Sequence, residues 1–498
     1  MKCKRFLATL VLGVVVSVSG AFAQDYWLGG TGLWQSGNWS RGLPSAGDDV
    51  LIATGSDAVY LTGQAYVHSV ALGGFGSEWL GDFIGQPASL TITNQLYIGY
   101  SANLGLSGGS SVTAWGAVSA YGGIDLENGS SLSGGYIYNN GTISTGLSGG
   151  GNAISAGGLD NYGYVSLQGA GDVVSVGSIN NYDQPIELGN GATLNVSGDL
   201  VNSYGQVTTG YYSGGGNTIN IGGTFWNYGF AYFGGAGDVI TVRDFENQVE
   251  IDLENGAVLN VAGNLDNYGS IYEYSSTAVV YGNLNNYGSI ILDPSTLIVK
   301  GTLINEPGSI LSLMPGDVLQ VANIVNKGAF TIPGGATIQA AYFLSSAQTT
   351  LNPQATLSVG TRTAGNTGYY QLANGTLGEH IDMNGFGVIV VNGPVHTDGT
   401  LDVQLGAGFT PKVGSAYEFI TFAPGSYDGS VFASIVNDIF NNGTEKWVVV
   451  YNDAGGYVEL LAANNSTVPE PSTFLLLGTS LVGLSYGMRR QLSRGAPE

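Results

Sequence analysis

Between Leu253 and Leu292 apolar and polar residues alternate in a pattern written twice. Val261, Gly263, Leu265, Asn267, Tyr268, Gly269 and Ile271 return nineteen residues later as Val280, Gly282, Leu284, Asn286, Tyr287, Gly288 and Ile290. Alternation with period two predicts short strands with one buried face. The Asn-Tyr-Gly between them predicts a turn whose glycine takes positive φ. Strand-and-turn units repeating at about twenty residues predict a β-solenoid, because one such unit cannot bury its apolar face alone and neighbours must stack to cover it.

The repeat is widest at its corners. Asparagines stand at Asn140, Asn161, Asn181, Asn202, Asn227, Asn247, Asn267, Asn286, Asn305 and Asn326, spaced 21, 20, 21, 25, 20, 20, 19, 19 and 21 residues apart. Stacked coils would place these carboxamides above one another, so that each hydrogen-bonds to its copies, as asparagine ladders do. The spacing of 25 marks a loop insertion near Gly210-Tyr211-Tyr212. A longer period lies over the first: Gly149-Gly150-Gly151-Asn152 recurs as Gly214-Gly215-Gly216-Asn217, so residues 126 to 252 read as two copies of a three-coil unit. The expected fold is all-β, a parallel β-helix (β-solenoid) of about twelve coils. Its parts are a leader at 1–23, an N-terminal aromatic cap with first coils at 24–89, regular coils at 90–330, irregular last coils and a C-terminal β cap at 331–464, and a tail at 465–498. A small β-sandwich is the alternative for the fourth of these. The cap is read from Trp27, Trp34 and Trp39, since the first coil would otherwise expose its cross-section; a tryptophan platform for sugar rings is the competing reading.

Composition narrows the partners. The 498 residues include 82 Gly and 29 Tyr, only 10% are charged, and the net charge is -23. Glycine without a triplet period is not collagen, and regular apolar alternation is not a disordered linker. Between leader and tail stand seven basic residues, Arg41, Arg243, Lys300, Lys327, Arg362, Lys412 and Lys446, against 34 acids, so the body carries 7 − 34 = −27. That field repels phosphate backbones, which excludes nucleic acid as a natural partner, and tolerates cations and neutral glycans. The single cysteine, Cys3, lies in the leader, which leaves the body no disulfide and no thiolate nucleophile.

The two ends carry addresses. Lys2, Lys4 and Arg5, an apolar run from Phe6 to Val18, and Ala21-Phe22-Ala23 make a secretory signal peptide. At the other end Val468-Pro469-Glu470-Pro471 precedes an apolar run from Phe474 to Tyr486 and then Arg489-Arg490. Thirteen apolar residues fall short of the roughly twenty that span a bilayer. This order of motif, short apolar helix and basic end resembles the PEP-CTERM family, here joined to an autotransporter-like β-solenoid body; the spacing from Trp34 to Pro44 is similar to the start of many secreted bacterial solenoids. The resemblance implies recognition and removal of the tail by an exosortase, transient association with the inner membrane, and a cell-surface or exopolysaccharide-associated destination in a Gram-negative envelope.

Candidate chemistry is sparse. Parallel β-helices include polysaccharide-cleaving enzymes such as pectate lyases, whose sites gather carboxylates with Lys or Arg. Asp244, Glu246, Glu250, Asp252 and Glu254 form an acidic run, read as a solvated edge. Glu379-His380-x-Asp382 and His396-x-Asp398 bring ligand types close without a third His or Cys. Gly-Ala-Gly-Asp at 169–172 and 235–238 shares glycines with the calcium-binding RTX nonapeptide but lacks its iteration, and reads as tight corners. Tyr162, Tyr182, Tyr228, Tyr268 and Tyr287 follow corner asparagines and should form an outward ridge, which shields the corner backbone or holds a glycan lengthwise. The sequence thus points to a secreted structural or adhesive protein of the extracellular polysaccharide matrix and not an enzyme, with no catalytic, cofactor or metal residues and at most weak surface calcium. The alternative is a lyase or hydrolase on the same scaffold.

Overall fold

The computed structural model describes residues 23–465 apart from 37, 75, 83–85, 147–148, 211–213 and 361–366. The chain divides into two compact units, which meet in sequence at Asp238 and Val239. Each is a parallel β-helix, and together they contain about 17 turns. Among the described residues no helix is long and apolar enough to cross a membrane.

A coil has three short strands. In the second unit one coil is Val258–Val261, Leu265–Asn267 and Ser270–Tyr274, and the next is Thr277–Val280, Leu284–Asn286 and Ser289–Asp293. They pair in parallel with Val261 on Val280, Leu265 on Leu284, Asn267 on Asn286 and Ile271 on Ile290, so the sequence repeat is also the stacking register. Alternation sends every second side chain inward. In the first unit Leu104, Ile124, Ile143, Val165, Ile186 and Val207 stack as one buried column across six coils.

The expectation of about twelve coils is too low. In the first unit coil pairing starts at the beginning of the described chain, where Ala23–Tyr26 pairs with Asp48–Ile52, and that strand with Ser69–Leu72. In the second it continues past residue 330 to Thr400–Leu405 on Ser434–Val436. The outer coils escape the sequence pattern because their corner position holds other residues. It is Leu72, Ile98 and Ala120 before the asparagines begin, and Ser345 and Gln371 after they end, all buried. The last strands turn antiparallel, Ala416–Phe422 and Glu445–Asn452 both pairing with Tyr457–Asn464, and Trp447 packs on Phe440 at 4.8 Å between ring centroids.

The glycine of Asn-Tyr-Gly also differs from expectation. Gly163, Gly269 and Gly288 are absent from the residues with positive φ. A Cβ on Gly288 would lie 2.0 Å from the carbonyl oxygen of Gly269, and one on Gly269 2.1 Å from that of Val249. Close approach of one coil to the next, and not the turn conformation, demands glycine there. Positive φ falls instead at Asn128-Gly129, Asn190-Gly191 and Asn255-Gly256, one corner further along.

At the first end, Trp27, Trp34 and Trp39 are buried against one another, with centroids 4.9 and 4.8 Å apart. Trp27 donates its N–H to the Gly30 carbonyl and Trp39 its N–H to the Trp34 carbonyl. Asp25, also buried, accepts from the Ser40 hydroxyl and the Arg41 N–H. No ring face is left for a sugar, so these tryptophans plug the coil stack.

Two core positions give tests. Leu265 is buried, whereas Asp266 faces outward and accepts from Asn285 Nδ2 at 2.7 Å. Leu265→Asp buries an unpaired carboxylate and should destabilise by several kcal/mol, on the order of 3 or more. Asp266→Asn keeps an acceptor and should cost under about 0.5 kcal/mol. Thermal unfolding compares them, and equal losses would refute the assigned faces. The second position is Glu273, fully buried in the strand Ser270–Tyr274, where burial and then the charge of Asp317 push its pKa from 4.5 up to about 8. The folded state therefore holds this proton more tightly than the unfolded chain. Stability should be greatest below about pH 4.5, fall as pH rises, and level off above about pH 8, a contribution on the order of 4 kcal/mol. Glu273→Gln should flatten that part of the melting-temperature profile and raise the melting temperature at pH 8; an unchanged slope would show that Glu273 does not cause it.

Candidate functional site

The corner asparagines are buried and linked. In the first unit each Nδ2 donates to the Oδ1 of the next coil: Asn139 to Asn161 at 2.7 Å, Asn161 to Asn181 at 2.7 Å, Asn181 to Asn202 at 2.9 Å and Asn202 to Asn227 at 2.8 Å. In the second the series runs Asn247, Asn267, Asn286, Asn305 and Asn326 at 2.8, 2.8, 2.8 and 3.0 Å. The second amide hydrogen reaches a backbone carbonyl across the corner, as from Asn267 to Ser289 at 3.0 Å and Asn286 to Ile310 at 2.9 Å. The ladder starts at Asn139 and not at Asn140. Strand alternation turns Asn139 inward and its neighbour outward, which two adjacent asparagines leave undecided in the sequence. The interior polar row is thus a structural device, with its donors and acceptors consumed internally.

A second polar row was not read from the sequence. Asp172 Oδ2 accepts from the Gly169 N–H at 2.8 Å, and its Oδ1 accepts from the N–H and side chain of Asn152 at 2.9 and 3.0 Å. Asp238 repeats this with Gly235 and Asn217. Asn152 in turn accepts from the Ser130 N–H, and Ser110 from the Ala88 N–H. The Gly-Ala-Gly-Asp carboxylates are therefore buried corner acceptors engaged with amides. The signal is the residue before each strand, but it changes among Ser, Asn, Asp and Ala, and a fixed motif search passes over it.

The acidic run divides. Asp244 accepts from Arg243 Nε at 2.9 Å and the Asn264 N–H at 3.0 Å, and Glu246 from Gln248 Nε2 at 2.7 Å. On the following strand Glu250, Asp252 and Glu254 share the outward face. Burial, then repulsion from Glu250 and Glu254, pushes the Asp252 pKa up to about 6. Such a carboxyl is partly protonated near neutral pH and can give or take a proton.

The histidines stay apart. His68 Nδ1 lies 2.8 Å from Asp49 and His396 Nδ1 2.7 Å from Asp428, not from Asp398. Glu379 and His380 take opposite faces of one strand. Glu379 is buried, accepts from the Gly387 N–H at 2.7 Å, and is held well above the usual carboxylate range by desolvation. Among the described residues no three His, Cys, Asp or Glu side chains converge as a metal site.

The tyrosines do form rows. Tyr162 and Tyr182 stack with centroids 4.2 Å apart and planes 9° off parallel, and Tyr268 and Tyr287 at 4.7 Å and 4°. The first row extends through Tyr138 at 5.2 Å, then Tyr121 at 5.7 Å and Tyr97 at 5.6 Å. Tyr228 is exposed beside its corner asparagine. Face-to-face stacking covers the ring faces and turns edges and hydroxyls outward, and burial with the neighbouring Tyr182 raises the Tyr162 pKa to about 12. These rows stabilise the coil edge and offer phenols, not open faces, to a ligand.

The fold defines a repeat scaffold whose corner asparagines satisfy one another. Residues 467–491 match the PEP-CTERM protein-sorting motif, which marks an exosortase-processed protein destined for the cell surface or secretion. No curated protein matches the chain significantly. The sorting residues Val468, Pro469, Glu470, Pro471, Arg489 and Arg490 lie outside the described residues, as does the expected signal peptide up to residue 22.

Proposed function

We propose that the protein is a non-catalytic structural or adhesive component of the extracellular polysaccharide matrix, displayed as a β-solenoid after loss of its tail. The observation that carries this reading is the coil exterior, where small, amide and phenol side chains recur from coil to coil. The cations of the regular coils give further support. Of the three, Arg243, Lys300 and Lys327, Arg243 is held by Asp244 at 2.9 Å and Lys327 by Glu306 at 3.0 Å, so these two are not poised over a carboxylate cluster to polarise an anionic sugar. The raised pKa of Asp252 beside Glu250 and Glu254 favours a second reading, a polysaccharide-active enzyme. Incubation with acidic and neutral polysaccharides, with and without calcium, separates the two. Retention without new reducing ends or unsaturated uronides is expected; release that disappears in Asp252→Asn would establish the enzyme.

The tail supplies the address. Thirteen apolar residues are a poor permanent anchor, and Arg489 and Arg490 would hold them only while the basic end stays cytoplasmic. The mature protein is expected to end near Pro469. Replacing Arg489 and Arg490 with Glu should block processing and retain full-length chain in the inner membrane. Mass spectrometry of surface protein checks this, and peptides reaching Glu498 there would overturn it.

A further inference from the structure

One group of exposed rings stands outside the stacked rows. Trp115 is 67% exposed, at the irregular step between the two halves of the strand Ser111–Ala120, where the register shifts between Ala114 and Ala117. Gly135 of the next coil sits on its backbone: a Cβ there would lie 2.5 Å from the Trp115 carbonyl oxygen. Tyr136 follows Gly135 and pairs with Ala117, so the two rings come from adjacent coils, two residues apart along the strand. The Tyr136 ring crosses over Gly158 of the coil after, where a Cβ would meet its Cε2 at 2.4 Å. It stays 36% exposed, so one side rests on backbone and the other is open to solvent. Its phenol interacts with the carboxylate of Asp160 and the carboxamide of Asn180, which are themselves joined, Asn180 Nδ2 to Asp160 Oδ1, at 2.8 Å.

Trp115, Tyr136, Asp160 and Asn180 therefore occupy four successive coils on an oblique path, Tyr136 on the column of Ala117 and Asp160 and Asn180 on that of Ser119 and Tyr138, four residues on from Trp115. At a coil spacing of about 4.8 Å and about 3.3 Å per residue along the strand, the path is on the order of 20 Å long. Rings with an open side give the C–H faces of a sugar an apolar surface, while a phenol, a carboxylate and a carboxamide beside them provide donors and acceptors for hydroxyls. Charge selects among glycans. Arg41 is the only Lys or Arg between residues 23 and 238, so a polyuronate would meet uncompensated negative potential along this unit.

We propose that Trp115, Tyr136, Asp160 and Asn180 form a binding site for an uncharged polysaccharide chain running obliquely across the stacked coils. The site rests on the matrix reading above only for where such a chain would be met. Trp115 and Tyr136 supply the rings, and Asp160 with Asn180 fixes hydroxyls of the following sugar units. The stacked Tyr162 and Tyr182 border the site and hold its edge rigid.

The test is affinity electrophoresis of the secreted protein through hydroxyethylcellulose and dextran as uncharged probes, and polygalacturonate as the charged one. Wild type should be retarded by at least one uncharged probe and not by polygalacturonate. Trp115→Ala should weaken that retardation at least tenfold, and Tyr136→Phe, which removes only the hydroxyl, several-fold, with melting temperatures unchanged. Tyr281→Ala, at a ring 57% exposed in the second unit, should bind as wild type does. The proposal is overturned if neither uncharged probe retards wild type, if Trp115→Ala binds normally, if Tyr281→Ala loses as much, or if polygalacturonate is held as well. Cofractionation with matrix in the native cells is scored separately. Wild type that cofractionates yet is insensitive to Trp115 leaves the matrix reading standing without this site. Wild type that fails to cofractionate but binds through Trp115 does the reverse.

Discussion

Everything in this molecule follows from stacking parallel coils by backbone hydrogen bonds at a spacing of about 4.8 Å. Each side chain then meets its counterpart from the neighbouring coil at that distance, and only residues that tolerate or welcome a copy of themselves can recur. Asparagine does so because a carboxamide both donates and accepts, so a buried column satisfies itself, Asn267 to Asn286 to Asn305. Tyrosine does so by stacking faces, and glycine by removing the Cβ where one corner presses on the carbonyl of the next. Carboxylates gain least, since like charges opposed across a ladder repel, as where Glu246 lies on Asp266. Outward Asp160 is accordingly followed by Asn180, and Asp266 by Asn285, each amide donating to the acid.

That selection rule explains which parts of the structure the sequence displays. Nine of the ten corner asparagines expected from spacing belong to the buried rows, because a ladder needs the same residue in each coil and leaves a period in the chain. Asn140 was misplaced by one residue since either of two adjacent asparagines fits the spacing, and only strand alternation separates Asn139 from it. The outer coils were missed where the corner residue is apolar, as at Leu72, Ile98 and Ala120, or a different amide or hydroxyl, as at Ser345 and Gln371. Core packing accepts such substitutions, but a search for asparagine does not. The second polar row stayed hidden for the same reason, with Ala192 standing among Ser130, Asn152, Asp172 and Asn217.

Glycine shows a different kind of ambiguity. A single sequence records that Cβ is absent at Gly163, Gly269 and Gly288 but not why. The turn chemistry of Asn-Tyr-Gly suggested backbone conformation, whereas the contact is steric, a carbonyl of the previous coil standing where Cβ would be. The asparagine of that motif is likewise no turn former but a rung. The motif is therefore a stacking signature, read in one chain as if it were a local one.

Aromatic residues divide by the same logic, and the division bears on function. Trp27, Trp34 and Trp39 have no coil before them among the described residues and pack on one another. The tyrosine rows are consumed by one another, as Tyr162 is by Tyr182. Trp115 has neither use: its counterpart in the next coil is glycine, its ring is exposed, and no stacking partner covers it. One exposed ring is ordinary by itself; Trp115 is set apart by the exposed Tyr136 of the next coil beside it. A repeat scaffold also gives such a departure more value than a globular surface would. A linear ligand that engages Trp115 is already aligned with the coils beyond it, so each further contact is made at high effective concentration. The residues that break the repeat on the outer face, and not those that define it, are where a solenoid's specificity is to be sought.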